Sequence, residues 1–141
     1  MIRVLFLCTH NSARSQMAEA FLKHYAGDRF EVYSAGLEPG LLNPLTITIM
    51  EEVGVSMQDH YSKGLDHFLG KVHFGYLITV CDEAEQKCPI FPGMGIRLHW
   101  LFEDPSSFNG SDSEKLAKFR QVRDQIQARI KEWLNEISNG Y

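Results

Sequence analysis

The chain has 141 residues, 44% of them hydrophobic and 23% charged, with a net charge of −4; this is the composition of one soluble globular domain, residues 1–141, with room for a proper core. The acidic balance excludes a general basic face and with it nucleic acid as a partner. The opening apolar run, Ile2 and Val4 to Leu7 interrupted by Arg3, is too short for a signal peptide or a membrane span, so the expectation is a cytoplasmic protein whose three cysteines, an odd number, start out reduced.

Ile2 to Leu7 reads as a buried strand. Cys8-Thr9-His10-Asn11-Ser12-Ala13-Arg14-Ser15 follows it, and then Met17, Ala18, Phe21, Leu22 and Tyr25 repeat at helical spacing, predicting a helix from about Ser15 to Tyr25 that Gly27 ends. Strand, tight loop and helix start therefore succeed one another. Such a loop gathers backbone N–H groups at the positive end of a helix dipole and binds a tetrahedral oxyanion. Cys8 at the strand end is placed to be a nucleophile, and the same dipoles are expected to lower its pKa. Arg14 can grip two anion oxygens through its planar fork. The bland alternative is a buried cysteine with an arginine nearby, but the agreement of strand, loop and helix favours chemistry.

Phe30 to Ser34 reads as a second strand left through a turn at Ala35-Gly36. Asn43-Pro44 starts a second helix, with Ile47, Met50 and Val53 as its apolar face and Gly54 as its stop. A short strand is expected near Val55 to Met57 and a short helix around Leu65, Phe68 and Leu69. Tyr76 to Val80 is a buried strand by length and β-branching, and Ile96 to Trp100 a last strand. Ser111-Asp112-Ser113-Glu114 is a capping box for a long helix in which Leu116, Phe119, Val122, Ile126, Ile130, Trp133 and Ile137 keep helical spacing. Strands alternating with helices predict an α/β fold, a mainly parallel four-stranded twisted sheet with helices on both faces. In such sheets ligands bind at the carboxyl ends of strands. Cys8, Cys81 and Asp104 all follow strands and are expected at that edge.

Cys81 and Cys88, seven residues apart, would lie two turns apart on one helix face, with Cα atoms roughly 10 Å apart and out of disulfide reach unless the helix unwinds. A pair that can bond only by rearrangement is a candidate redox switch. The run from Cys88 and Pro89 to Gly93 cannot be regular helix. The spacing lacks the short Cys-x2-Cys form of zinc sites, so no metal is assigned. Asp104, in Glu103-Asp104-Pro105, is a candidate general acid, or simply a turn residue.

Taken together, Cys8 to Ser15, the Cys81/Cys88 pair and Phe102-Glu103-Asp104-Pro105 resemble the thioredoxin-coupled arsenate reductases, which share their fold with low-molecular-weight protein tyrosine phosphatases. The likeness extends to Ser15-Gln16-Met17-Ala18-Glu19, Tyr33-Ser34-Ala35-Gly36, Asn43-Pro44, Cys88-Pro89 and His99-Trp100. The two extra cysteines favour the reductase, as does Ser106-Ser107-Phe108 where the phosphatases tend to carry tyrosines. The resemblance implies that Cys8 attacks arsenate held by the loop from Thr9, His10, Asn11, Ser12 and Ala13 to Arg14 and Ser15, with phosphate or sulfate as competitors. Asp104 protonates the leaving oxygen. Cys81 attacks Cys8 and arsenite departs; Cys88 then attacks Cys81, and thioredoxin reduces the Cys81–Cys88 disulfide. It implies a monomer with no cofactor and no membrane partner.

One departure is informative. In some of these reductases a potassium ion lies behind the loop, with ligands matching Asn11, Glu19 and Ser34; two further ligand positions, a Thr and an Asp, are Tyr61 and Lys63 here. The expectation is that Lys63 replaces the ion by pairing with Glu19 and bracing Asn11. Asn11 and Ser15 are expected to shape the loop and bond the Cys8 sulfur, His10 to be exposed, and His60 and Trp100 to pack. Two alternatives remain: a tyrosine phosphatase using the same loop, and a non-catalytic module that senses an oxyanion or a metal.

Overall fold

The computed structural model describes residues 1–68, 70–88 and 95–140. Four strands, β1 (Ile2–Cys8), β2 (Phe30–Gly36), β3 (Tyr76–Thr79) and β4 (Ile96–His99), form one parallel sheet in the order β2-β1-β3-β4. The chain winds to one side of β1 and then to the other, so strand order reverses at β1, and the crevice at its carboxyl end is where ligands bind in this class of sheet. Cys8 is the last residue of β1, in register with Gly36 of β2.

Four α-helices accompany the sheet: α1 (Arg14–Ala26), α2 (Pro44–Glu51), α3 (Asp82–Lys87) and α4 (Asp112–Gly140). Side chains alternate along each strand, and their partners separate the two faces. Phe6 meets Trp100, which meets Trp133 of α4, and Ser34 bonds Glu19 of α1; α1 and α4 thus cover this face, with α2 against α4. On the other face Tyr33 packs on Phe68 and Phe74, while Thr79 and Arg97 bond α3. β1 is sandwiched between the two layers, which is why Val4 to Leu7 are wholly buried and read as a continuous apolar run.

The cap chemistry legible in the sequence is present. Asn43 accepts from the Leu45 N–H at 2.9 Å with Pro44 at the first helical position. Ser111 and Glu114 bond reciprocally, Glu114 N–H to Ser111 Oγ at 3.2 Å and Ser111 N–H to Glu114 Oε1 at 3.0 Å. Other expectations are corrected. Ala35 and Gly36 belong to β2 rather than to a turn. Val53 is exposed, and Thr46 and Ile49 join the expected Met50 in facing the core from α2. Val55 to Met57 form no strand; Val55 N–H instead closes the end of α2 on Met50 O. The third helix is a single 3-10 turn, Leu65–His67, and Leu69 lies outside the described residues. Cys81 and Cys88 do not share a helix face: they are the N-cap and C-cap of α3. Of the run from Cys88 to Gly93, expected not to be regular helix, Pro89 to Gly93 lie outside the described residues.

Candidate active site

The loop between β1 and α1 is shaped by where its carbonyls go. Cys8 O accepts from Leu37 N–H, Thr9 O from Glu38 N–H, His10 O from Gly40 N–H and Ser12 O from Asn43 N–H, all at 2.8–3.1 Å. Asn11 O takes the Gln16 side chain, and Ala13 O the Met17 N–H. Every carbonyl from Cys8 to Ala13 is bonded outward, so the N–H groups are left to face the hollow and the start of α1. Asn11 N–H points at Cys8 Sγ from 3.2 Å. The turn requires a left-handed residue, and Asn11 has φ 54°, a conformation that asparagine tolerates. Gly36 permits the close passage of β2: a Cβ there would lie 2.8 Å from Thr9 O and 2.9 Å from Asn11 N.

Cys8 is buried, with Ser15 Oγ 2.9 Å from its sulfur, and Ser15 Oγ in turn accepts from Asn11 Nδ2 at 2.7 Å. Burial pushes the Cys8 thiol above its ordinary value, and the Ser15 hydroxyl, the Arg14 charge and the Ser15 and Asn11 backbone N–H groups only partly oppose it. The direction is opposite to the expected lowering, because burial of the thiol outweighs these partners. Arg14 is anchored at its far end by donating to Phe102 O at 3.1 Å, and its Nη2 lies 3.6 Å from Asp104 Oδ2.

Asp104 accepts from Ser106 N–H at 2.9 Å and from Ser107 Oγ at 3.0 Å. It therefore caps the 3-10 turn Pro105–Ser107, as the turn reading expects, while one of its oxygens lies beside Arg14. Thr9, His10, Arg14, Cys81 and Asp104 line one open pocket of about 400 Å³. Cys81 enters it as the N-cap of α3, its sulfur accepting from Ala84 N–H at 3.4 Å with Thr9 Oγ1 also 3.4 Å away. Cys88, at the opposite end of α3, is buried, and burial pushes its thiol up, with Arg97 opposing and Glu85 adding to the rise. His10 is exposed, its Nδ1 2.9 Å from Glu38 O.

Beneath the loop lies a group of buried charges. Glu19 holds Lys23 Nζ at 2.6 Å, Lys63 Nζ at 3.7 Å and the Ser34 hydroxyl. Lys63 Nζ also donates to Tyr61 O at 3.2 Å and Ser34 Oγ at 3.3 Å, and Lys63 N–H donates to Asn11 Oδ1 at 3.0 Å. Burial alone would push the Glu19 carboxyl up, but Lys63, Lys23 and Ser34 together hold it below the usual carboxylate range. Trp100 is buried in the aromatic packing as expected, and His60 sits on Gln16 Oε1 at 2.9 Å. The sequence reading passed over Gln16, whose amide donates to Asn11 O, Asn11 Oδ1 and Tyr61 O, and Ser62, whose hydroxyl donates to His10 O. A glutamine between the loop and the apolar face of α1 was the available signal; Ser62 carried none.

Among the described residues no group of three histidine, cysteine or acidic side chains is placed to hold a metal ion, and no helix is long and apolar enough to cross a membrane.

The family model for low molecular weight phosphotyrosine protein phosphatase matches residues 3–140. The arsenate reductase of Shouchella clausii is 45% identical over 130 residues, 92% of this chain and 93% of that protein. A solved arsenate reductase in the phosphate binding state is 32% identical, with a TM-score of 0.76 over 97% of this chain and 99% of that one. The thioredoxin-dependent arsenate reductase of Corynebacterium glutamicum is 34% identical, with a TM-score of 0.74 over 100% of this chain and 64% of that one.

Because its carboxyl is held low in the folded protein, Glu19 contributes stability that is present above the unfolded carboxylate value and lost as pH falls through the lowered one. Lys63→Met leaves Lys23 and Ser34 to oppose burial alone. The variant is expected to unfold in acid at a higher pH and to lose about 1–3 kcal/mol at neutral pH. Acid titration followed by circular dichroism measures both, and an unmoved acid midpoint would remove Lys63 as the partner of Glu19.

Proposed function

The chain belongs to the low molecular weight phosphotyrosine protein phosphatase family and, within it, to the arsenate reductases of the thioredoxin-dependent type, and on that premise we propose the path by which Cys8, Cys81 and Cys88 reduce arsenate to arsenite. The observation that carries it is a second thiol in the anion pocket: Cys81 lines the same hollow as Thr9, Arg14 and Asp104. A phosphatase needs one cysteine there. A reductase needs two within reach of each other and a third to resolve them.

Arsenate enters the loop between the N–H groups and Arg14. Cys8 gives up its proton to the bound dianion, and the thiolate attacks arsenic. Arg14 holds the bound oxygens, and Asp104, beside it in the pocket, acts as the general acid that donates a proton to the departing oxygen so that water leaves. Cys81, as thiolate, then attacks the Cys8 sulfur. The S–S bond forms, the S–As pair of electrons stays on arsenic, and arsenic(V) leaves as arsenite. Cys88 attacks Cys81 and expels Cys8 as thiolate, and the thioredoxin dithiol reduces the Cys81–Cys88 disulfide. Ser15 and Asn11 hold the Cys8 sulfur in line throughout.

Phosphate and sulfate share the charge and shape of arsenate and compete for the loop; a related reductase has been solved in a phosphate binding state. The protein is proposed to act as a monomer in the cytoplasm, where its cysteines are kept reduced between turnovers. Lys63 is proposed to do the work of a bound potassium ion. Its ammonium already stands among Glu19 Oε1, Ser34 Oγ and Tyr61 O, so the residues behind the loop do not fit an added cation.

Cys88→Ser is expected to complete one turnover and stop with Cys8 and Cys81 joined; mass spectrometry of alkylated peptides after arsenate treatment reads the bond, and sustained turnover with thioredoxin would refute the relay. For Asp104→Asn the single-turnover rate should fall by about 10²–10⁴-fold with the fold intact, the usual share of a general acid; an unchanged rate leaves Asp104 as a turn cap only. Steady-state rates of the unsubstituted protein in potassium and in sodium buffer of equal ionic strength should agree, whereas several-fold stimulation by potassium would show that the ion has a site after all.

A further inference from the structure

On the face of the sheet that carries α3, Arg97 of β4 reaches the last turn of that helix. Its Nη2 donates to Glu85 O at 2.5 Å and its Nη1 to Cys88 O at 3.4 Å, and its Nε lies 3.5 Å from Glu85 Oε2. The final carbonyls of a helix lack intrahelical donors and sit at the negative end of its dipole, so a guanidinium with two parallel donors suits them. The Arg97 side chain is only 22% exposed, which limits competition from water. The Glu85 carboxylate is held from the sheet as well, by Thr79 Oγ1 at 2.6 Å.

Geometry makes these bonds specific to one redox state. Cys81 and Cys88 cap the two ends of α3. Seven residues at helical rise separate their Cα atoms by roughly 10 Å, whereas a disulfide needs about 4.4–6.8 Å. Joining them requires the helix to shorten from an end. Arg97 holds together the Glu85 carbonyl of the helix and the carbonyl of its extended C-cap, Cys88, and shortening the helix from this end separates the two.

We propose that Arg97 is a latch for the reduced state, a positioning residue that holds the last turn of α3 and thereby sets the redox equilibrium of the Cys81/Cys88 pair. The proposal rests on the thiol relay described above. In the step concerned the Cys88 thiolate attacks Cys81 of the Cys8–Cys81 disulfide, the Cys81–Cys88 bond forms and Cys8 leaves as thiolate, with no net gain or loss of electrons. The thioredoxin dithiol later supplies two electrons and two protons. By stabilising the product of that last reduction, the latch makes the disulfide easier for thioredoxin to reduce. Thr79 and Glu85 steady the helix but do not touch its terminal carbonyls; Arg97 alone among the described side chains donates to both the Glu85 and the Cys88 carbonyl.

The test is to equilibrate the full chain in dithiothreitol buffers of graded poise and to quantify the Cys81–Cys88 disulfide by mass spectrometry of alkylated peptides, for the unsubstituted protein, Arg97→Met and Arg97→Lys. A hydrogen bond from a charged donor is worth about one to two powers of ten in an equilibrium constant. Arg97→Met should therefore favour the disulfide by at least about tenfold, a potential lower by about 30 mV for this two-electron couple. Arg97→Lys, which reaches one carbonyl, should fall between. In hydrogen exchange the amides of α3 should open faster in reduced Arg97→Met and at the unsubstituted rate once oxidised, which a general loss of stability would not produce. Equal equilibrium constants in all three proteins would overturn the latch. Full rescue by lysine would overturn the fork, assigning the effect to charge alone, and this comparison stands even if the methionine variant does not fold. Absence of any Cys81–Cys88 disulfide in the unsubstituted protein would overturn the relay itself, and with it the latch, before a variant is made.

Discussion

Six consecutive carbonyls, Cys8 to Ala13, are bonded away from the hollow of the loop. A peptide plane that turns its oxygen outward turns its N–H inward, so this one pattern of acceptors lines the hollow with backbone donors. Its donors come from the chain that leaves β2, residues 37 to 43, and from α1. That dependence explains why Gly36 sits where a Cβ would strike Thr9 O and Asn11 N, and why Asn11 takes the left-handed turn. The sheet contributes the other half: β1 ends at its centre, where strand order reverses, so the thiol of Cys8 arrives at the crevice already enclosed.

Enclosure has consequences on both sides of the loop. Above it, burial pushes the Cys8 thiol up against the pull of the Ser15 hydroxyl, the Arg14 charge and the loop N–H groups. Below it, Glu19 is buried and would be expensive to keep charged without partners. Lys63 and Lys23 meet that demand, and Lys63 does so while its backbone N–H bonds Asn11 Oδ1. The rigidity of the anion loop and the charge balance beneath it are thus a single network running from Glu19 through Lys63 to Asn11, Ser15 and the Cys8 sulfur.

α3 answers a different demand. It is six residues long, with a cysteine at each cap. A longer helix would cost more to open, and isolated helices of this length are not stable on their own; tertiary contacts from Thr79 and Arg97 hold it. A helix kept by its neighbours rather than by its own propensity is one that a covalent change at its ends can displace, and that links packing on the sheet to the redox cycle.

Much of this was written in the sequence. Alternating apolar runs and caps such as Asn43-Pro44 and Ser111 to Glu114 are local signals, decided by period and by side-chain hydrogen bonds within three residues. Cys8 to Arg14 between a strand and a helix pointed to an anion site for the same reason, and the spacing of Cys81 and Cys88 pointed to a pair that could join only by rearrangement. What the sequence left undecided depended on distance in space. The direction in which the Cys8 thiol is pushed turns on how deeply the fold buries it, which no local signal states. That Cys81 and Cys88 cap α3 instead of lying along it, and that Val53 is exposed while Thr46 is buried, follow from where each helix meets its neighbours. Gln16, Ser62 and Arg97 act on partners up to 45, 52 and 12 residues away. Burial and long-range hydrogen bonds belong to the packed chain, because desolvation and carbonyl satisfaction exist only once the strands and loops have come together.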